Sequence, residues 1–170
     1  AHLDDAPPVA PRRGSNRLVV RLGQNFLADP NLLDAIVRDA GLASDDVVLE
    51  VGAGEGVLSE RLAAAAGRLH TVEIDRGLAP ALERIAALPN VELHWGDAMK
   101  LDLAGLRPQP TAMVANLPYA VATPLLLRSI EELPTLNRWT VMVQREIADR
   151  LRAGPGSRTY GAPSAVAQLA

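Results

Sequence analysis

The chain has 170 residues, 22% of them charged and 48% hydrophobic, with a formal net charge of −3. That length suffices for one domain with a sizeable core, and the apolar runs are too short to span a bilayer. The absence of cysteine excludes disulfides and thiolate metal sites and fits a cytoplasmic protein. The acidic balance gives no global sign of a nucleic-acid partner, so any such contact must come from local patches. Basic character rests almost wholly on arginine, with Lys100 the only lysine.

Residues 1–20 hold three prolines near Arg12, Arg13 and Arg17. They show no sustained periodicity and read as a mobile arm, with the folded domain starting at residue 22. The stretch AHLDDAPPVAPRRG is no signal peptide. The first helix is well punctuated: Asp29 can cap it, Pro30 fits its first turn, Leu33, Ile36, Val37 and Ala40 line one face, and Gly41 ends it. From there strand and helix patterns alternate. Strands are expected at 47–51, 69–74, 91–95, 111–115 and 138–144. Helices are expected at 56–66, stopped by Gly67, and at 77–88, with Pro80 near its first turn. Thr123-Pro124 is expected to start a further helix over LLLRSIEEL, and REIADRLRA follows the fifth strand.

This alternation predicts an α/β fold, a Rossmann-like, doubly wound and mostly parallel sheet covered on both faces. Numbering the expected strands one to five, their order should be 3-2-1-4-5. Ligands then sit beyond the carboxyl ends of the strands, where the order reverses between strands 1 and 4. The loops after those strands are VGAGEG and NLPY, so both should face one crevice.

In EVGAGEG, Gly52, Gly54 and Gly56 follow a strand and open a helix, allowing a ligand to approach backbone N–H groups. A dinucleotide fingerprint would place its third glycine at Val57. The G-x-G-x-G spacing suits S-adenosylmethionine better than a nicotinamide cofactor, although an ordinary tight strand–helix turn would carry the same glycines. Glu73 and Ile74 end the second strand, where an acidic side chain can accept both hydroxyls of a ribose. Asp97 follows the third strand, placed to accept from an adenine amino group, with Ile74 and Met99 as apolar walls. Singly, such acids are often solvated strand ends; glycines, Glu and Asp on three successive strand ends make a less accidental pattern.

Asn116-Leu117-Pro118-Tyr119 can serve the transfer itself. An exocyclic adenine amine is a poor nucleophile because its lone pair is delocalised into the ring. The Asn116 amide oxygen and the Leu117 carbonyl could bind its two protons and direct the lone pair at an electrophilic methyl. Pro118 would fix the turn and Tyr119 would stack on the base, an interaction worth about 1–3 kcal/mol. A strand-terminating turn with a half-buried tyrosine is the plainer alternative.

Taken together, LGQNFLADPNLLDAIV, VLEVGAGEGVLS, VEID, GDAM, NLPYAVATPLL and MVQREIADRL resemble the ribosomal RNA adenine N6-dimethyltransferases, most of all the small-subunit dimethyladenosine transferases. These are class I S-adenosylmethionine-dependent methyltransferases, and the resemblance runs from about Leu22 to Gln168 with every motif in order. It implies dimethylation of two adjacent adenines in a terminal hairpin loop of small-subunit rRNA during ribosome biogenesis. It also implies cofactor contacts at Asn25, Leu27, Gly52, Glu73, Asp97 and Asn116; Gly54, Ile74 and Ala98 complete the expected cofactor set. The chain departs from the family's pattern at Ala53, where proline is usual, and around Val20, where a lysine-containing lead-in is usual. Target bases must leave their stack to reach such a pocket. Arg12, Arg13, Arg17, Arg21, Arg145, Arg150, Arg152 and Arg158 are candidates for phosphate contacts.

The expected partner is small-subunit rRNA in the assembling particle, with no membrane, no metal and a monomeric state. The family continues past YGAPSAVAQ into two more strands and a small helical domain. Residues 22–170 are therefore expected to be a C-terminally incomplete catalytic domain, with the strand at 138–144 left as an edge, an aggregation risk. Macrolide-resistance methylases of large-subunit rRNA, a non-catalytic ribosome-assembly factor and a nicotinamide dehydrogenase are the competing readings. AVATPLL and GQNFLADP weigh against the first, and NLPY and the glycine spacing against the last.

Overall fold

The computed structural model of the protein describes residues 17–22 and 29–169. Its elements, in chain order, are β1 (Arg17–Leu22), α1 (Pro30–Ala40), β2 (Val47–Val51), α2 (Val57–Ala65), β3 (Arg68–Glu73), a 3₁₀ turn (Arg76–Leu78), α3 (Ala79–Ala86) and β4 (Val91–Trp95). There follow β5 (Ala112–Asn116), α4 (Tyr119–Glu132), β6 (Arg138–Val143), α5 (Arg145–Arg152) and α6 (Ala162–Leu169). All strand pairs are parallel, in the order β1-β6-β5-β2-β3-β4. The expected order of the five central strands is therefore found, and the reversal falls between β2 and β5.

Strict alternation along the strands divides the core into two layers, as a sheet covered on both faces requires. Val48, Leu69, Val114 and Met142 join Leu33, Ile36, Leu62, Leu82 and Ile85 under α1, α2 and α3. Leu49, Val72, Met113, Val141 and Trp139 face the other way, among Leu125, Leu126, Ile147 and Leu151 of α4 and α5. Local punctuation at the first helix is as its residues dictate. Asp29 accepts from the Asn31 N–H at 2.9 Å, and Gly41 closes α1 at φ 57°. At the bottom of the sheet Asp46, only 6% exposed, accepts from Thr111 at 2.8 Å and from the Ala43 N–H at 2.7 Å, and pairs with Arg138.

Four expectations differ from the structure. Residues 17–22 form β1 rather than part of an arm; Val19 and Val20 pair with Thr140 and Val141 of β6. For the same reason β6 is an interior strand and not an edge. The run RLVVRL is short and flanked by arginines, which masks its strand pattern beside a proline-rich stretch. The fourth helix begins at Tyr119 rather than at Thr123-Pro124, so Pro124 lies inside it. Pro118 is the N-cap, and its carbonyl accepts from both Val121 and Ala122 at 3.1 Å. Proline within a helix removes one backbone hydrogen bond; Ala122, two residues earlier, and Leu125, directly after, are buried in the core and hold the segment in place. Helix α2 stops at Ala65, two residues short of Gly67, whose N–H instead donates to the Asp46 carbonyl.

Candidate functional site

The ends of β2, β3, β4 and β5 meet in one cleft of about 250 Å³, below the roughly 300 Å³ at which most small-molecule pockets begin. Gly52, Glu73, Ile74, Asp97, Ala98, Asn116, Leu117 and Pro118 all border it. Val51, Val72, Met99, Val121 and Leu125 supply apolar walls.

The glycine loop is shaped by two different demands. Gly52 sits at φ 85°, and a Cβ there would come 3.2 Å from the Asn116 carbonyl, where β2 and β5 diverge. At Gly56, φ 81°, a Cβ would fall 2.6 Å from Ile85 Cγ1, so this glycine lets α2 pack on α3. Only the first serves the cleft; the third is a packing glycine.

Glu73 is 7% exposed, and its carboxylate organises the loop around it. Oε2 accepts from the Gly54 N–H at 2.9 Å; Oε1 accepts from the N–H groups of Ile74 at 2.8 Å and Asp75 at 2.9 Å. Gly54 thus enters through Glu73 and does not itself border the cleft. Asp97 makes a tight turn of the same kind, with Oδ1 accepting from the Met99 N–H at 2.9 Å. Both carboxylates keep lone pairs for a ligand. Ile74 is 67% exposed at the lip, an unusual state for a large aliphatic side chain and one that a bound ring would relieve.

On the opposite wall, the Leu117 N–H donates to the Met142 carbonyl at 3.0 Å, which anchors the turn to β6. Among the described residues the Asn116 side chain has no hydrogen-bond partner. Tyr119 is the first residue of α4. Asn25 and Leu27 lie outside the described residues, as do Arg12 and Arg13. Arg17 and Arg21 belong to β1, while Arg145, Arg150, Arg152 and Arg158 are exposed on α5 and the turn after it.

Two supporting residues escape a reading of the sequence. Arg128 of α4 donates to the carbonyls of Ala98 at 2.6 Å and Leu101 at 2.7 Å, fixing the Asp97 loop from behind. Its distance of thirty residues along the chain leaves no local signal. Glu50, within VLEVG, is completely buried, and Ser59 and Thr71 each donate to its Oε2 at 2.6 Å. Burial pushes its carboxyl up to about 7 against the pull of those two hydroxyls, and the charge of Glu73 raises it further. Its position in a strand that reads as uniformly apolar is the one available hint.

The site's residues suit an adenosine bearing a charged tail: acids for the hydroxyls and amino group, apolar walls for the ring, and a glycine where backbone and ligand meet. Comparison with known proteins agrees. A structure of a dimethyladenosine transferase from Plasmodium falciparum superposes with a TM-score of 0.74 at 30% identity, covering 83% of this chain and 51% of that one. The 23S rRNA methyltransferase ErmE gives a TM-score of 0.63 at 32% identity, covering 72% of this chain and 49% of the other. A ribosomal RNA small subunit methyltransferase A from Rubrobacter xylanophilus is 49% identical over 150 residues, 88% of this chain and 56% of that protein. The chain spans about half the length of the curated relatives it matches. The family model described as ribosomal RNA adenine dimethylase matches residues 15–170, and the chain belongs to that family.

Proposed function

We propose that the protein transfers methyl groups from S-adenosylmethionine to the N6 atoms of two adjacent adenines in small-subunit rRNA. The observation that carries this reading is the placement of the Asn116 amide across one cleft from Glu73 and Asp97. Identity of 49% to a small-subunit methyltransferase, against 32% to the large-subunit enzyme ErmE, favours the small subunit.

Glu73 would hold the ribose hydroxyls and Asp97 the adenine amino group, with Ile74 and Met99 enclosing the ring. When bound, the donor supplies an electrophilic methyl on a positively charged sulfur. The chain's own contribution is positioning. Asn116 Oδ1 and the Leu117 carbonyl accept the two protons of the target amine, so that its lone pair points out of the base plane. Holding the reactants in near-attack geometry can supply roughly 7–11 kcal/mol. The Tyr119 ring is assigned to stacking on the target base, and Arg145, Arg150 and Arg158 to phosphates, which position the substrate without reading its sequence. A monomer acting on assembling particles in the cytoplasm completes the proposal. Among the described residues no helix is long and apolar enough to cross a membrane.

Mass spectrometry of rRNA adenines from cells with and without the gene tests the reading. A pair of N6-dimethyladenines in small-subunit rRNA should disappear with the gene. It should return with the wild-type gene and not with Asn116→Ala. An unchanged small subunit with altered large-subunit adenines would favour the macrolide-resistance chemistry instead.

A further inference from the structure

Away from the cleft, β3 and β4 bring together two histidines and a glutamate that methyl transfer does not use. His70 pairs in register with Glu92, and Val72 with His94. Strand alternation therefore puts all three side chains on one face of the sheet. His70 is fully buried, while His94 and Glu92 keep 21% and 44% of their side chains open to solvent. Their ligating atoms all lie within 4.8 Å of one another, the one such group among the described residues.

The hydrogen bonds fix which atoms face the centre. His70 Nε2 lies 3.0 Å from the Pro108 carbonyl, which can only accept, so Nε2 carries the proton. His70 Nδ1 is then a lone pair, aimed at His94 Nε2 at 3.1 Å and Glu92 Oε2 at 3.6 Å. His94 Nε2 is 3.9 Å from Glu92 Oε1. Zn–N bonds of about 2.0–2.1 Å in a tetrahedron require ligand separations of roughly 3.3–3.4 Å, and these three spacings bracket that value. A backbone carbonyl receiving the outer N–H is also how ligating histidines are commonly oriented.

We propose that His70 Nδ1, Glu92 and His94 Nε2 form a binding site for a zinc-class divalent cation, with water in the open fourth position. This site runs against the expectation of no metal; the two histidines are 24 residues apart and no cysteine is present to signal a ligand set. His94 Nε2, which donates to the His70 Nδ1 lone pair here, ligates as the tautomer with its proton on Nδ1. Arg68 acts in both directions. Its Nη2 holds Glu92 Oε2 at 2.8 Å, which orients the carboxylate, while its charge opposes a cation. The ion would clamp β4, an edge of the sheet, to β3. His70 and His94 each precede a cleft acid, Glu73 and Asp97, by three residues, so the clamp lies about 10 Å below the cofactor ends.

The test is titration of chelator-treated protein with Zn²⁺ by calorimetry and with Co²⁺ by visible absorption. His2, the only other histidine, is replaced in the background by His2→Ala. One ion per chain and the d–d bands of a tetrahedral N/O site are expected. His94→Ala and Glu92→Gln should each weaken binding at least about tenfold while circular dichroism stays unchanged. Both positions are partly exposed, so at least Glu92→Gln, on the sheet surface, tests the site without disturbing the core. A stoichiometry near zero, or equal affinity in Glu92→Gln and the background protein, would overturn the proposal and leave the three residues as a hydrogen-bonded pin.

Discussion

On the β3–β4 side of the cleft, Glu73 and Asp97 are already committed to backbone donors, whereas on the β5 side the Asn116 amide is without a partner among the described residues. The first wall is a finished surface: four N–H groups converge on two carboxylates, and Arg128 braces the loop from behind. The second is a turn tied to β6 through Leu117 and capped by Pro118, with a polar group that the proposed function assigns to the target amine. The difference matches two tasks. A small, constant molecule is best met by a preorganised surface, because little ordering is lost when it binds. A group that must stabilise charge developing in a transition state has to be fixed in place yet free of competing hydrogen bonds.

The contrast is broken most sharply at Asn116. Asn116→Ala should slow single-turnover methyl transfer by about 10²–10³, as for loss of one preorganised transition-state hydrogen-bonding group. Cofactor affinity measured by calorimetry should change far less. Equal losses in both would merge the two walls into one binding surface. Tyr119→Phe should keep most activity, because stacking needs the ring and not the hydroxyl, while Tyr119→Ala should not.

Glu73→Ala attacks the other wall and should behave oppositely. It leaves three backbone donors without their acceptor, at a cost of about 2–4 kcal/mol in unfolding free energy. Adenosylhomocysteine binding should weaken along with it. Retention of full stability in denaturant titrations would show that water replaces the carboxylate, and that the wall is not preorganised by Glu73.

Glu50 lies beneath both walls, and its effect depends on pH. Its carboxyl titrates at about 7 in the folded protein, against an ordinary 4.5. Between those values the folded chain retains a proton that the unfolded chain has lost, so stability falls as pH rises across this window and levels off above it. Glu50→Gln keeps an acceptor for Ser59 and Thr71 and removes the charge. It should therefore be more stable than the parent at pH 8 by about 1–3 kcal/mol and nearly equal at pH 4.5. Parallel stability curves for the two proteins would contradict this.

The smallest effect is expected at Arg128. Arg128→Met removes two hydrogen bonds to the Asp97 loop, worth about 1–2 kcal/mol together. Cofactor affinity should drop by roughly three- to tenfold, with the rate of the bound complex preserved. A rate loss without an affinity loss would place the brace on the substrate side.

Much of this was decided by local sequence. Alternating apolar strands and capped helices determine the order of the central sheet, because handed crossovers leave few alternatives. Asn116 and the Gly52 loop are legible because a turn after a buried strand needs special residues, and such turns on parallel strands point to one end. Asp29 and Gly41 bound α1 through contacts within two or three residues, which are present in the sequence itself. What the sequence did not decide are the contacts between elements. RLVVRL becomes a strand only because β6 offers a free edge to pair with. Pro124 sits inside α4 because Ala122 is buried against the core formed by other elements. Arg128 acquires its role from a loop thirty residues away, and His70 meets Glu92 and His94 only through the register of two parallel strands. Each of these depends on which surfaces the folded chain brings together, and a linear pattern holds no record of that.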